Sequence, residues 1–429
     1  MKKFRVLLTY VFLLMAFMGL SSCSSMTKGV VQAFIGGEEE DTRQCWIRGR
    51  PFNGLEAMFP LEGPVEETAS TKPPLKILKV HGVGTHQPGY SARLVENLMG
   101  ALDLHTVSDT TKVIELAHPL YPDGLGVLQV HRFIDMEDNR EMIFYELTWD
   151  PIVEAEKQTL DFDNSKQVSD KRAGFNHELK AFVNDTVPDA LMYGGKYRLQ
   201  IQTSVSQALC WMMSQEWVDL PDAGKVNCDV KREYFWSQSE HDIAIISHSL
   251  GSRITLDALQ TIGINLSENE AFEGVSEKLK QTNISLYMLS NQLPLTQLGQ
   301  DAPEVAGEIN AICDESSPRY GERFYEKIQL VAFSDPNDIL SYTLQPSYVN
   351  QFIDSRLCPS VTNVVINIAD VAGIFGKEFA NPMKAHIDYE IDGRVMDLLV
   401  GGFSEEYARP EARERCEFIE VVSDKDIDF

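Results

Sequence analysis

The sequence predicts one large α/β domain, and three observations lead to this expectation. Short apolar runs with the composition of buried strands recur along the chain, and helix-like segments lie between them. Polar residues suited to catalysis follow several of these runs, as in open parallel sheets, where chemistry gathers at the carboxyl ends of strands. About 400 residues follow an N-terminal signal, which is ample for one such domain with insertions.

The individual elements follow from their local patterns. A helix over Tyr90–Leu102 is expected to cover the sheet, and the polar, helix-like residues from 152 onward are expected to form a cap over the active site, an insertion of about residues 152–235. The predicted strands are Leu75–Val80, Met142–Trp149, the run that ends at Ser247, Ile284–Leu289, Ile328–Phe333 and Asn363–Ile368.

The run that ends at Ser247 is followed at once by Ser249 and then by a predicted helix, Arg253–Leu259. Strand, sharp turn, serine and helix in this order are typical of a nucleophile elbow. The backbone of such a turn is strained, so the residues two before and two after the serine must be small, and here they are Ser247 and Gly251. The usual pattern is G-x-S-x-G, with glycine where Ser247 stands. We predict that Ser249 is a nucleophile; an ordinary buried strand followed by a turn is the alternative.

A serine nucleophile needs a base, and the base needs a carboxylate to orient it. The pair Asp335 and Asp338 follows the strand Ile328–Phe333, and His386 comes after the strand Asn363–Ile368, which gives the chain order Ser, Asp, His. His386 is assigned as the base by this position. Asp338 is favoured as the acid because two apolar residues follow it, as in the acid loop of lipases. Asp335, which precedes a proline, is the alternative.

A glycine-containing loop, His81-Gly82-Val83-Gly84-Thr85-His86, follows the strand Leu75–Val80. Glycine permits backbone conformations that aim N–H groups inward. We predict that the N–H groups of Val83 and of Leu250, the residue after the nucleophile, would form an oxyanion hole. The sequence has no phosphate-loop pattern, and His81 and His86 lack a second ligand cluster with recognisable metal spacing. We therefore expect neither a metal nor an organic cofactor.

With these motifs the chain resembles the α/β-hydrolase superfamily, and more narrowly bacterial serine esterases and lipases with an H-G-x-G-T-H loop and an S-H-S-L-G-S elbow. Residues 81–86 and 247–252 carry the match, together with the order and spacing of Asp338 and His386. The resemblance implies an α/β-hydrolase fold over residues 74–402, with a mostly parallel sheet between helical layers and a helical cap insertion. It also implies carboxylic-ester hydrolysis through an acyl-enzyme, without identifying the ester.

The N-terminus has the pattern of an export signal. A basic start, Met1–Arg5, precedes the apolar run Val6–Leu20, and small residues lead to Cys23. The cysteine at the cleavage position makes residues 1–22 resemble a bacterial lipoprotein signal peptide. A plain signal peptide or a short membrane anchor is the alternative, although the run is shorter than the ~20 residues that a spanning helix needs.

The lipoprotein interpretation implies that Cys23 is acylated, as with palmitate, and anchors the chain to a membrane. Ser24 beside it suggests the bacterial outer membrane by analogy with other lipoproteins. Residues 23–73 are expected to be a tether and N-terminal extension, in which Cys45–Met58 packs on the domain.

The remaining cysteines are even in number, which permits disulfides in an exported chain. Cys210 and Cys228 enclose a short polar segment and are the preferred local pair, whereas free buried cysteines are the alternative. None of the cysteines has C-x-x-C metal spacing. The six are Cys45, Cys210, Cys228, Cys313, Cys358 and Cys416.

The formal net charge of the whole chain is −26, and loss of the three basic residues of the signal takes it to about −29. Nucleic-acid binding needs a basic surface, so a nucleic-acid partner is excluded. The acidic residues are spread along the chain and are interpreted as a solvated surface. Residues 403–429 are expected to be a peripheral acidic tail.

Three functions fit these features. The first is a lipid-anchored serine hydrolase that cleaves esters, with lipase or phospholipase A chemistry, and its partners would be an ester or lipid substrate and the membrane. The second is an acyltransferase that uses the same triad with an alcohol other than water. The third is a non-catalytic envelope lipoprotein with a hydrolase-like binding scaffold, which would require a catalytic position to be missing or misplaced.

Overall fold

The computed structural model describes residues 45–59, 74–106, 111–135, 140–214, 216–229, 242–374 and 377–420. All of them belong to one compact unit that spans residues 43–429. The predicted signal peptide, Cys23 and residues 421–429 lie outside the described residues, as do the parts of the predicted tether before residue 45 and between 60 and 73.

Twelve strands join in one sheet within these ranges, and its centre is parallel. The sixteen described strands are β1 (Cys45–Gly49), β2 (Phe52–Asn53), β3 (Leu75–Val80), β4 (His105–Thr106), β5 (Lys112–Leu116), β6 (Val127–Asp135), β7 (Arg140–Thr148), β8 (Ala223–Val226), β9 (Ile243–His248), β10 (Asn283–Leu289), β11 (Lys327–Ser334), β12 (Pro359–Ile366), β13 (Val371–Ile374), β14 (Lys377–Ala380), β15 (Gly402–Phe403) and β16 (Cys416–Glu420). The main sheet has the order β16-β1-β12-β11-β10-β9-β3-β7-β6-β5-β8, with β4 beside β6, and the pairs β13-β14 and β15-β2 stand apart from it.

The six strands from β12 to β7 in this order run parallel, whereas β1 and β6 attach antiparallel to their neighbours. The central strands β9, β10 and β11 are buried along almost their whole length. Near-continuous apolar runs of this kind are typical of a parallel sheet that is covered on both faces. The predicted strands are therefore present, although β12 begins at Pro359, four residues before the predicted start, and pairs with β11 from that residue onward.

Helices lie on both faces of the sheet. The described helices are α1 (Ala92–Leu102), α2 (Pro151–Lys157), α3 (Asp161–Asn164), α4 (Lys166–Ser169), α5 (Gly174–Tyr193), α6 (Arg198–Ser214), α7 (Leu250–Ser267), α8 (Glu273–Leu279), α9 (Leu293–Thr296), α10 (Ile309–Cys313), α11 (Pro346–Phe352), α12 (Pro382–Ile387), α13 (Gly393–Gly401) and α14 (Pro410–Arg415). One apolar core lies where α6 and α7 meet the sheet, and a second lies where α1 and α13 meet it. The chain thus has an α/β fold with a mostly parallel central sheet and flanking helices.

The predicted cap insertion, about residues 152–235, extends too far along the chain. The helix α6 buries Ile201, Val205 and Met212 in the core beside α7, and β8 joins the edge of the main sheet next to β5. Helices α2 to α5, by contrast, are largely exposed. Among the described residues, no helix is both long and apolar enough to cross a bilayer.

The predicted acidic tail, residues 403–429, contributes to the main sheet as far as Glu420. The strand β16 pairs with β1, and a disulfide joins Cys45 to Cys416 across this pair. Cys45–Met58 therefore packs on the domain as expected, and the preferred pair, Cys210 and Cys228, is confirmed as a disulfide. The third disulfide joins Cys313 to Cys358.

Candidate active site

Ser249 lies in a sharp turn between β9 and α7. Its backbone has φ 55° and ψ −126°, a strained conformation that non-glycine residues rarely adopt. Strained residues of this kind are often found at functional sites. The turn is held because the N–H of Ser249 donates to the carbonyl oxygen of Leu289, at the end of the neighbouring strand, at 2.9 Å. The helix α7 begins at the next residue, Leu250, so the unpaired N–H groups of a helix N-terminus lie beside the serine.

The small residues around Ser249 are required by close packing. A Cβ on Gly251 would lie 2.6 and 2.7 Å from the carbonyl oxygens of His81 and Val80. Ser247 is fully buried, with its Oγ 3.4 Å from the Oγ of Ser252 and from a backbone oxygen of β10. This position therefore accommodates a serine where the usual motif has glycine.

The structure brings the predicted base and acid to Ser249. The Nε2 of His386 lies 3.2 Å from the Oγ of Ser249, within the reach of a general base. The Nδ1 of His386 lies 3.0 and 3.1 Å from the two carboxylate oxygens of Asp338. All three side chains are buried. The arrangement is the one that a serine, histidine and aspartate need in order to act together.

Asp335, the alternative acid, has a different role. One of its carboxylate oxygens accepts hydrogen bonds from the N–H groups of Ile368, at 2.6 Å, and Ala369, at 3.1 Å. The other accepts from the N–H of Asn337 at 2.6 Å. Asp335 therefore fixes the backbone that follows β12 and the turn that carries Asp338.

Ser290 is a site residue that the sequence analysis missed. It follows β10 directly, has φ 52° and is fully buried. Its Oγ donates to the Oδ2 of Asp338 at 2.6 Å and lies 2.9 Å from the Nδ1 of His386. Its place at the end of the predicted strand Ile284–Leu289, between the nucleophile and the acid along the chain, was the available signal.

These contacts set the charge of the acid. Burial opposes the ionisation of Asp338, but hydrogen bonds from His386, Ser290 and the N–H of Leu340 outweigh it and lower the pKa of Asp338 below its usual value. The carboxylate is therefore ionised at neutral pH and can orient an imidazole N–H.

His248, next to Ser249, contacts the backbone of His386. Its Nε2 lies 2.8 Å from the backbone oxygen of His386, and because a carbonyl only accepts, this nitrogen carries the proton and donates. Burial holds the pKa of His248 well below its usual value, so the ring stays neutral. The side chain fixes the backbone position of His386.

The loop His81–His86 packs directly against the nucleophile. A Cβ on Gly82 would lie 2.6 Å from the Cβ of Ser249 and 3.1 Å from its Oγ, so only glycine allows this approach. No described residue accepts a hydrogen bond from the N–H groups of Val83 or Leu250. The two N–H groups predicted as donors are thus without a partner among the described residues.

Carboxylates occupy the N–H groups that follow Val83. The N–H of Gly84 donates to Asp189 at 2.6 Å, that of Thr85 to Asp185 at 3.1 Å, and that of His86 to Asp150 at 3.3 Å. Asp185 and Asp189 belong to α5, and Lys157 of α2 pairs with both. Helices α2 and α5 therefore fix the shape of this loop.

The pKa values of these three carboxyl groups shift in different directions. Burial raises the pKa of Asp150 to about 7 and also raises that of Asp189. Burial also opposes the ionisation of Asp185, but hydrogen bonds from Thr85 and the charge of Lys157 outweigh it and lower the pKa of Asp185.

His81 and His86 are part of the structure of this loop. The Nδ1 of His81 donates to the backbone oxygen of Gly82 at 2.9 Å, and its Nε2 accepts from the N–H of Trp149 at 3.1 Å. Both nitrogens of His81 are thus used, and burial holds its pKa well below the usual value. The ring stacks on His86, with 4.0 Å between the centroids.

The chemistry that this arrangement can perform is nucleophilic attack by a serine hydroxyl, with a histidine to remove its proton. Within the described ranges, no group of three or more His, Cys, Asp and Glu side chains is placed to hold a metal ion. Comparison of the chain with protein-family models, curated proteins and solved structures finds no match.

Proposed function

We propose that this protein is a serine hydrolase with an α/β-hydrolase fold that cleaves carboxylic esters through an acyl-enzyme. The observation that carries the proposal is the Ser249–His386–Asp338 triad. The Nε2 of His386 lies 3.2 Å from the Oγ of Ser249, and its Nδ1 lies 3.0 Å from the Oδ1 of Asp338. The strained backbone of Ser249 at the start of a helix, and the order Ser, Asp, His along the chain, support it.

The proposed reaction has two halves. His386 removes the proton of Ser249 as the hydroxyl oxygen attacks the ester carbonyl, and the same imidazole then gives that proton to the leaving alcohol. Water, deprotonated by His386, attacks the acyl carbonyl of the acyl-enzyme. The bond to the oxygen of Ser249 then breaks, His386 returns the proton to that oxygen, and the acid is released. Asp338 and Ser290 hold the Nδ1 side of the ring throughout, so that Nε2 faces the nucleophile.

The oxyanion of each tetrahedral intermediate would accept hydrogen bonds from Val83 and Leu250. Donors that are aligned before the reaction contribute roughly 3 kcal/mol each to the stability of the transition state. The carboxylates that bind the next three N–H groups of the loop keep these donors in place.

The test is covalent labelling with a fluorophosphonate probe, together with turnover of p-nitrophenyl esters of increasing acyl length. We expect the wild-type chain to label and turn over, and Ser249→Ala to do neither. Ser252→Ala is the matched control, because Ser252 is also a fully buried serine, three residues further on, and should leave labelling intact. A folded wild-type chain that neither labels nor turns over would favour a binding scaffold instead. Transfer to an added alcohol, measured by product analysis, would indicate an acyltransferase.

We also propose that the protein is a bacterial envelope lipoprotein anchored through acylated Cys23. The basic, apolar and small-residue segments that precede this cysteine support the assignment. Metabolic incorporation of an alkyne-tagged palmitate should label the wild-type chain, and Cys23→Ala should abolish the label. A wild-type chain that stays unlabelled while it is exported would argue for a plain signal peptide.

A further inference from the structure

The helix α5 carries four of its apolar residues on the outside. Leu179, Val183, Val187 and Leu191 are 50%, 37%, 45% and 71% exposed, and they recur every four residues, so they form one ridge along the helix. We call these four residues the apolar ridge. An amphipathic helix of a soluble domain normally turns such a stripe toward the core.

The opposite side of α5 faces the candidate active site. Asp185 and Asp189 point inward, where they accept hydrogen bonds from the loop His81–His86 and pair with Lys157. At these positions the inner side of the helix is polar and the outer side is apolar, which is the reverse of the usual arrangement. The same insertion also exposes Phe162, at 66%. An exposed apolar patch of this kind, unlike single scattered apolar residues, marks an interaction surface.

We propose that the apolar ridge docks on a phospholipid surface and so presents the site to esters held in that surface. The proposal rests on the proposed function and on the proposed anchor at Cys23. It identifies the substrate class as lipid esters.

The chain between the anchor and the domain is long enough for this contact. Residues 24–44 separate Cys23 from the first described strand, and at about 3.3 Å per residue they can span up to ~70 Å. An anchored domain can therefore turn α5 toward the membrane that holds it.

The charge of the insertion also fits a lipid surface. Residues 151–200 carry eight acidic and seven basic residues, whereas the whole chain carries 64 and 38. The strong acidity of the rest of the protein opposes contact with anionic lipid, but this segment is nearly neutral. A bilayer of zwitterionic phospholipid is therefore the occupant that the ridge fits.

The experiment uses the full lipidated chain on phosphatidylcholine vesicles. Leu191→Cys introduces one free thiol, since the six other cysteines after Cys23 form disulfides, and this thiol is labelled with an environment-sensitive fluorophore. Val218→Cys, at a position that is 80% exposed and outside α5, is the matched control. We expect a blue shift at position 191 and at least twofold quenching by lipid-borne nitroxide, with neither effect at position 218.

Each other result would overturn the proposal. A label at 191 that behaves like the label at 218 would show that the ridge stays in water. A label that is shielded without being quenched by lipid would show that the ridge contacts protein, such as a second copy of the chain. The fluorescence of the label at position 191 can also be measured in the Ser249→Ala background. It does not depend on catalysis, so it tests docking even if the proposed function is wrong.

Activity provides the second readout. In Val187→Ser/Leu191→Ser, hydrolysis of a soluble short-chain ester should remain within twofold of wild type, whereas hydrolysis of an ester embedded in vesicles should fall about tenfold or more, because apolar area has been removed. Equal loss on both substrates would contradict a docking role. If the wild type hydrolyses neither substrate, the proposed function is overturned, but the fluorescence result at position 191 still decides whether the ridge docks.

Discussion

Replacing Ser290 with alanine should slow turnover without weakening the binding of substrate. The hydroxyl donates to the Oδ2 of Asp338 at 2.6 Å and lies 2.9 Å from the Nδ1 of His386. In the proposed mechanism Ser290 is therefore a positioning residue, which acts through Asp338 and His386 and does not touch the reacting atoms. Its loss leaves Asp338 alone to orient the imidazole.

The expected fall in kcat follows from the loss of the hydrogen bond between Ser290 and Asp338. A buried hydrogen bond to a charged group contributes about 1.5–3 kcal/mol. Asp338 is charged before and during the reaction, so only part of this energy changes between ground state and transition state. A share of ~1.4 kcal/mol corresponds to a tenfold fall in kcat. By comparison, Asp338→Asn removes the orienting carboxylate and should lower kcat by about 10³–10⁴-fold.

The backbone of Ser290 supplies a control. At φ 52° a residue with a Cβ is strained, by roughly 1–2 kcal/mol, whereas glycine is not. Ser290→Gly should therefore unfold at higher denaturant concentration than Ser290→Ala, although both lack the hydroxyl and should lose kcat equally. Steady-state kinetics on a p-nitrophenyl ester would show kcat reduced and KM unchanged in both. A kcat for Ser290→Ala within twofold of wild type, in a folded protein, would refute the reasoning.

Three further changes test other contacts of the site. Gly82→Ala places a Cβ 2.6 Å from the Cβ of Ser249 and should lower kcat by about 100-fold, measured beside circular dichroism to show that the fold is kept. Asp335→Asn should lower the free energy of unfolding by ~2–3 kcal/mol in denaturant curves, because the carboxylate of Asp335 binds backbone N–H groups and a neighbouring side chain of the turn. Since none of these partners is Ser249 or His386, kcat should stay within about threefold of wild type, unlike in Asp338→Asn. Burial holds the pKa of Asp150 at about 7, so the folded protein keeps a proton that the unfolded chain releases near pH 4. The contribution of Asp150 to the free energy of unfolding should therefore fall as pH rises from about 4 to 7. In unfolding curves measured across this range, Asp150→Asn should remove ~1–2 kcal/mol of the pH dependence.

The strands that carry the site could be predicted because they are buried on both faces. Runs such as Ile284–Leu289 are apolar at every position except Ser285, so their pattern is visible within a few residues. The last two strands at one end of the sheet, β1 and β16, were not predicted, since each has only five residues, with polar residues among them. They pair across a separation of 371 residues, joined by the Cys45–Cys416 disulfide, which no local pattern reveals.

The candidate site was predicted where a motif or the chain order defined it. Ser249 is identified by its elbow and His386 by its position after β12, but the choice between Asp335 and Asp338 depends on how one turn folds. Their side chains point to different partners, Asp335 to backbone N–H groups and Asp338 to His386. Ser290 was missed because its only signal was its place at the end of a strand, and no motif surrounds it.

The strained residues Ser249 and Ser290 explain how the sheet builds this site. Their strands, β9 and β10, are parallel neighbours in which His248 pairs with Leu289, so both serines occupy the first position beyond the pairing. Each has a positive φ, and the hydroxyl oxygen of each lies beside one nitrogen of the same imidazole: that of Ser249 is 3.2 Å from Nε2, and that of Ser290 is 2.9 Å from Nδ1. The two sides differ in charge, because Asp338 lies on the side of Ser290 and the N-terminus of α7 lies on the side of Ser249. A proton on His386 is therefore held at Nδ1, Nε2 is left to accept from Ser249, and the negative charge of an attacked carbonyl would develop where the helix favours it.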